Sequence, residues 1–141
     1  MSVHFMSTTD KWETPQDLFD KLNEVYRFTL DVCATADNAK CERYFTPIED
    51  GLSQDWNGET CWMNPPYGRV IGKWIKKASG ANAVVVALLP ARTDTRWFHD
   101  YIYGKAEILF LRGRLKFGGA KHGAPFPSML VIFDKRTLNS K

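Results

Sequence analysis

Disulfide and metal-site patterns are missing from this chain. Its cysteines, Cys33, Cys41 and Cys61, are odd in number and form no C-x-x-C pair. Neither a disulfide framework nor a thiolate zinc site is built from such spacing. His4, His99 and His122 are scattered without ligand spacing, so reduced thiols and no metal are expected. No apolar run approaches the ~20 residues of a membrane-spanning helix. The opening stretch MSVHFMSTTDKWE has no signal-peptide core. Together these absences predict a soluble, intracellular protein. Internal repeats and low-complexity linkers are also lacking, which predicts one domain over residues 1–141 with an ordered core of about 10–135. The first six or so residues and the last five or so are expected to fray.

What is present is an ordinary globular balance. The 141 residues are 44% hydrophobic and 25% charged, enough to bury roughly two-thirds of the unfolded surface. The net charge of +3 and pI near 8.8 permit an anionic partner without demanding one. Lys73, Lys76 and Lys77 cluster, as do Arg112, Arg114, Lys116 and Lys121. Solvated surface explains such clusters as well as phosphate binding does.

Periodicity predicts a helix over 12–27, with Thr14 as N-cap, Pro15 in the first turn and Leu18, Phe19, Leu22, Val25 and Tyr26 on one face. FTLDVCA starts as a short strand and reaches Asp31. TADNAKCER reads as a polar stretch with a short helix possible, RYFTP as a second strand and ETCWM as a third. A helix over 70–79 carries Val70, Ile71, Trp74, Ile75 and Ala78. AVVVALLP is the clearest strand, and its unbroken apolar run fits burial on both faces. Residues 95–103 read as a short helix, and AEILFL and SMLVIFD as the last two strands, separated by a Gly/Pro-rich loop. The alternation predicts an α/β domain with a mostly parallel central sheet and a C-terminal antiparallel hairpin.

In such a sheet, ligands bind beyond the carboxyl ends of the strands. This chain places Asp31, Glu49, Asp50, Asn64 to Tyr67, Arg92 and Asp94 after its strands. The stretch NPPYG stands out. Proline fixes φ, donates no N–H and restricts the residue before it. Asn64, Pro65, Pro66 and Tyr67 therefore sit on a stiff, pre-shaped loop, which is either a plain turn with a surface tyrosine or a site.

Several segments together resemble a family. NPPY after an apolar strand resembles the catalytic motif of N6-adenine DNA methyltransferases. KWETPQDLFDKL is similar to the segment preceding their methyl-donor site, FTLDVCA to their first strand and its acidic loop, and EDGLSQDW to their adenine-binding segment. With ALLPARTDTRWFH and LRGRLKFGGA, the chain resembles the small phage-type, Dam-like enzymes over about residues 10 to 135. That resemblance implies a Rossmann-like fold and S-adenosylmethionine as methyl donor. It places Asp31 near the donor's amino group, with Trp12, Thr14 and Pro15 lining the same side, and it counts Asn64 among the donor-binding residues. Asp50 receives the donor's adenine amine and Leu52 packs nearby. One departure is plain: the first-strand turn, DVCATADNAK, has no glycine. Cys33, Ala34 and Asn38 must meet the donor without the close approach glycine allows.

The resemblance also assigns the chemistry. The exocyclic amine of adenine is a poor nucleophile because its lone pair is delocalised. Accepting its N–H bonds on the Asn64 side chain and the Pro65 carbonyl directs that lone pair at the methyl donor, and the prolines hold both acceptors fixed. Tyr67 is expected to stack on the base once it has left the helix. Lys73, Arg92, Arg96, Arg114 and Lys116 are expected at DNA phosphates, with Phe117 stacking or wedging; Phe117 as core is the other reading. The implied partner is double-stranded DNA, with a monomer or a homodimer both open, in bacterial cytoplasm as a phage or prophage product, where methylation would mask DNA from restriction. The rivals are methyl transfer to RNA bases or protein glutamine, and an inactive DNA-binding module.

Overall fold

The computed structural model describes residues 12–136; the expected fraying of both termini lies outside the described residues. Five strands, β1 (Leu30–Asp31), β2 (Thr60–Met63), β3 (Val84–Pro90), β4 (Glu107–Phe110) and β5 (Ser128–Phe133), form one sheet in the order β1-β2-β3-β5-β4. Helices α1 (Gln16–Tyr26) and α2 (Ile71–Gly80) accompany it. The fold is mixed α/β.

Apolar continuity decides the strand order. Every residue of β5 and all but the first of β3 are buried, so both need cover on each side and lie inside the sheet. They pair antiparallel from Val85↔Phe133 to Pro90↔Ser128. β4, with Leu109 and Phe110 exposed, takes the edge and pairs antiparallel with β5. The closing hairpin therefore forms as its helix-free connection predicts. β1, β2 and β3 pair in parallel. β5 inserts between β3 and β4 and runs against both, so the pairing is mixed while the other four strands share one direction.

Local structure departs from the sequence reading where a side chain has a stronger partner elsewhere. Thr14 does not cap α1. The N-cap is Pro15, without a side-chain bond, because the Thr14 hydroxyl is used in the interior. Asp17 lies in the first turn, and α1 ends at Arg27 in the left-handed region, its N–H donating to the Asn23 carbonyl. In α2, Ile71, Trp74, Ile75 and Ala78 form the buried stripe, while Val70 precedes the helix and is exposed. RYFTP makes no ladder beyond a single bridge from Tyr44 to Asp31. The stretch before it is turns rather than helix, held by Thr35 N–H donating to Asn38 Oδ1 at 2.8 Å. The short helix expected over 95–103 forms, helical over 96–102 with a π-helical segment Phe98–Ile102 in which Phe98 and Ile102 are buried.

Candidate functional site

The carboxyl ends of β1 and β2 open into a cavity of about 230 Å³. Four stretches distant in sequence wall it: Trp12–Thr14, the turn after β1, residues 45–51, and Asn64–Pro66. Trp62 and Trp74 complete it. Of the donor-site residues expected from sequence, Trp12, Thr14, Asp31, Cys33, Ala34, Asn38, Asp50 and Asn64 line this cavity. Pro15 and Leu52 do not. Pro15 starts α1, and Leu52 faces a second cleft with Trp56 and Lys73.

Asp31 ends β1 and is almost fully buried. Its Oδ1 accepts from Cys33 N–H at 3.3 Å and its Oδ2 from Lys40 N–H at 3.0 Å. Burial raises its pKa to about 6, partly offset by those two N–H bonds and by the Lys40 charge. The floor of the cavity thus carries a desolvated carboxylate suited to a cationic group. Burial pushes the Cys41 and Cys61 thiols up to about 12, so neither is an activated nucleophile.

Asp50 is exposed and holds φ at 58°, with its Oδ1 accepting from Leu52 N–H at 3.3 Å. A carboxylate that bonds its own turn tolerates this left-handed conformation. Gly51, next to it, is buried. A Cβ there would stand 2.1 Å from the Val32 carbonyl oxygen and 3.0 Å from the Trp74 ring. Only a residue without a Cβ lets this turn pass so close to the Val32 carbonyl.

Asn64 follows β2 at the head of the proline loop. Its Nδ2 donates to the Trp12 carbonyl and, at 3.0 Å, to Thr14 Oγ1. Thr14 Oγ1 also accepts from Trp62 Nε1 at 3.3 Å. Asn64 Oδ1 is buried and has no hydrogen-bond partner among the described residues. Leaving a buried acceptor unsatisfied costs about 1–3 kcal/mol, and such an atom points to a ligand donor. Ser128 Oγ is the other such atom, but Ser128 stands outside the cavity wall.

Two aromatic assignments are corrected. Tyr67 is 2% exposed, donates its hydroxyl to the Leu88 carbonyl at 3.1 Å and meets Phe126 edge-on at 5.6 Å. Burial raises its pKa further. It anchors the proline loop to β3 rather than offering a surface ring to a base. Phe117 is 5% exposed and packs on Trp12 and Phe126, so it is core, not a wedge. Sequence cannot show which way a loop aromatic turns; here burying its area decides.

The expected DNA-binding cations divide. Arg92, Arg96, Arg114 and Lys116 are exposed. Arg92 lies 5.8 Å over the Phe126 ring, and Arg114 donates to the Ala124 carbonyl at 3.4 Å. Through Phe126 and Phe117 these loops reach Trp12 and the cavity wall. Lys73 instead joins Lys76 and Lys77 along the second cleft, which shares no lining residue with the first. Among the described residues the two ion pairs, Arg43–Glu59 and Arg136–Asp134, use none of these cations. Sequence reading missed Lys40, Phe45, Trp62 and Trp74 in the cavity. The one available signal was the position of Trp62, two residues before Asn64 on a strand that reaches the site.

Among the described residues no helix is long and apolar enough to cross a membrane, and no cluster of metal-ligating side chains occurs. The model of the family DNA N-6-adenine-methyltransferase (Dam) matches residues 2–139. The chain is 32% identical over 141 residues to a DNA N-6-adenine-methyltransferase of Haemophilus phage HP1, covering 92% of this chain and 82% of that protein. It is 31% identical over 111 residues to one of Escherichia phage T1, covering 75% of this chain and 46% of that protein. A preorganised amide with an open acceptor, a buried carboxylate in the same cavity and a match across nearly the whole sequence lead to one assignment: the chain belongs to the DNA N-6-adenine-methyltransferase (Dam) family.

Proposed function

We propose that the cavity beyond β1 and β2 holds S-adenosylmethionine and that Asn64 presents its carbonyl oxygen to the N6 amine of a target adenine. Family membership makes the chain a DNA adenine-N6 methyltransferase; the cofactor and the residue roles are our reading. The observation that carries it is Asn64 Oδ1, a buried acceptor without a partner among the described residues, beside a cavity that also contains a buried carboxylate.

The residues present fit that donor. Asp31 offers a desolvated anion to its ammonium group, with Cys33, Ala34 and Asn38 lining the turn beside it. Asp50, at the rim, is placed to accept from its adenine amine. Trp12, Trp62, Trp74 and Phe45 give the apolar walls typical of a cofactor pocket. Bound S-adenosylmethionine would supply the methyl group as an electrophile. Asn64 Oδ1, with the Pro65 carbonyl, accepts the N–H bonds of the adenine amine and turns its lone pair toward the cavity. Pro65 and Pro66 keep both acceptors fixed, so little reorganisation is needed during transfer. The adenine must leave the duplex to reach the loop. Tyr67 keeps the loop in place from the core side.

Arg92, Arg114 and Lys116, on loops packed against the Trp12 cluster, and Arg96, at the start of the helical segment after β3, are assigned to the phosphates of double-stranded DNA, and Lys73 to a more distant phosphate. The whole chain would act as one Rossmann-like methyltransferase domain in bacterial cytoplasm. The test is transfer of labelled methyl from S-adenosylmethionine to unmethylated DNA, followed by digestion to nucleosides. Label in N6-methyladenosine from the wild type, with turnover down at least about 100-fold in Asn64→Ala and cofactor binding retained, is the expected result. Undiminished transfer by Asn64→Ala would overturn the assigned mechanism.

A further inference from the structure

Asn64 does not hold its own orientation, and the segment before α1 does. The Trp12 carbonyl is an acceptor only, so the amide must turn its NH2 toward it. The second Nδ2 hydrogen goes to Thr14 Oγ1 at 3.0 Å. Both amide hydrogens are then used. Thr14 Oγ1 has two lone pairs, and Trp62 Nε1, a donor only, takes the other at 3.3 Å. Asn64 Oδ1 is the atom of this cluster left without a hydrogen-bond partner among the described residues. Thr14 is 6% exposed and Trp62 1%, so the bond between them is shielded from water, while Asn64 is half-buried at the cavity wall. Trp12 is fixed in turn by edge contacts to Phe117 at 5.5 Å and Phe126 at 5.1 Å.

We infer that Thr14 is a positioning residue: with the Trp12 carbonyl and Trp62 it locks the Asn64 amide so that the carbonyl oxygen, and not the NH2, faces the substrate amine. This rests on the reading of Asn64 given above. It explains why position 64 carries an amide. An aspartate there would set an anionic oxygen against the Trp12 carbonyl. It also accounts for the Thr14 hydroxyl, one residue before the N-cap Pro15, turning inward. A flipped amide would aim donors at a donor, and the amine lone pair would lose its direction.

Thr14→Val keeps shape and removes both lone pairs; Thr14→Ser keeps them. The expected result for Thr14→Val is a kcat about 100-fold lower, the scale of a misaligned reacting group, with the KM for S-adenosylmethionine and for DNA within about threefold. Thr14→Ser should recover most of the loss. In an Asn64→Ala background, Thr14→Val should cost nothing more, because the two act as one unit. A loss confined to KM, or one that persists in the Asn64→Ala background, would overturn the inference and leave Thr14 as a cavity-wall residue. A second readout does not depend on turnover. Hydrogen exchange of the Asn64 side-chain amide, followed by NMR, should be slow in the wild type and Thr14→Ser and at least about tenfold faster in Thr14→Val. Unchanged exchange overturns the clamp even if Asn64 is essential. An active Asn64→Ala enzyme with slow wild-type exchange would instead sink the catalytic reading and leave the clamp a structural fact.

Discussion

Asp31 shows how far one residue can be read. Its place at the end of the first strand was legible, because it closes the short β-prone run FTL. Its burial was not, because Val32, Tyr44 and Phe45 fold around it from segments that sequence does not align. The consequence is a pH dependence with two opposite signs. In the folded state its pKa is raised to about 6, against about 3.9 for an unperturbed aspartate. The folded protein therefore binds the proton more tightly than the unfolded chain. The stability this contributes is full below about pH 4 and is lost as pH rises through about 6, a change of about 3 kcal/mol. Cofactor affinity should run the other way, since only the carboxylate attracts an ammonium group. Denaturant unfolding of wild type and Asp31→Asn from pH 4 to 8 should give a stability difference that moves against the wild type between about pH 4 and about pH 6 and is flat above. S-adenosylmethionine binding to the wild type should weaken over the same interval as pH falls. A flat difference would mean that Asp31 ionises as freely as it does in water.

At the scale of elements, the sequence spoke clearly where one requirement dominated. β3 is apolar without interruption and was legible as a buried strand, and β5 was legible as a strand. The stripe of α2 was legible from Ile71, Trp74, Ile75 and Ala78. It failed where two requirements competed. Thr14 reads as a cap, but its hydroxyl is worth more inside, between Trp62 and Asn64. RYFTP has strand composition, yet it makes only one bridge to Asp31 because β1 is two residues long. The 3₁₀ turn Gly51–Ser53 hid a further requirement. Gly51 passes against the Val32 carbonyl, and its own carbonyl accepts from Trp56 Nε1 at 2.9 Å. Gly51→Ala puts a methyl 2.1 Å from that Val32 oxygen, and the obstacle is backbone that cannot swing aside. The expected cost is about 2–4 kcal/mol of stability, in the range of severe overpacking. It should be read as a lower urea midpoint with an unchanged slope. S-adenosylmethionine affinity should fall as well, because Asp50 and Trp74 move with the turn. Wild-type stability in this variant would mean that the turn is free to shift.

For the molecule as a whole, the sheet gathers residues that sequence keeps far apart, such as Trp12 and Asn64. The NPPY loop and the acidic strand ends announced a site, but the clamp around it depends on tertiary contacts. The same distance explains the two aromatic corrections, since Phe117 and Tyr67 point inward only because Trp12 and Phe126 are there to meet them. Buried Phe117 and Phe126 leave the cations of their loops outside, at the cavity's side. If Arg114 and Lys116 each neutralise one DNA phosphate, removing both should lower the slope of log K against log salt by about 2. The double variant Arg114→Ala/Lys116→Ala should bind DNA more weakly at every sequence tested while keeping its thermal midpoint and its affinity for S-adenosylmethionine. Both side chains are exposed, and only the 3.4 Å bond from Arg114 to Ala124 is lost from the fold. Lys73→Ala provides the contrast. On the separate cleft along α2, it should change the slope by about 1 only if the duplex is long enough to reach there, so shortening the DNA should abolish its effect and leave that of Arg114 and Lys116. A salt slope indifferent to Arg114 and Lys116 would remove this loop from the DNA interface and place the duplex along α2 instead.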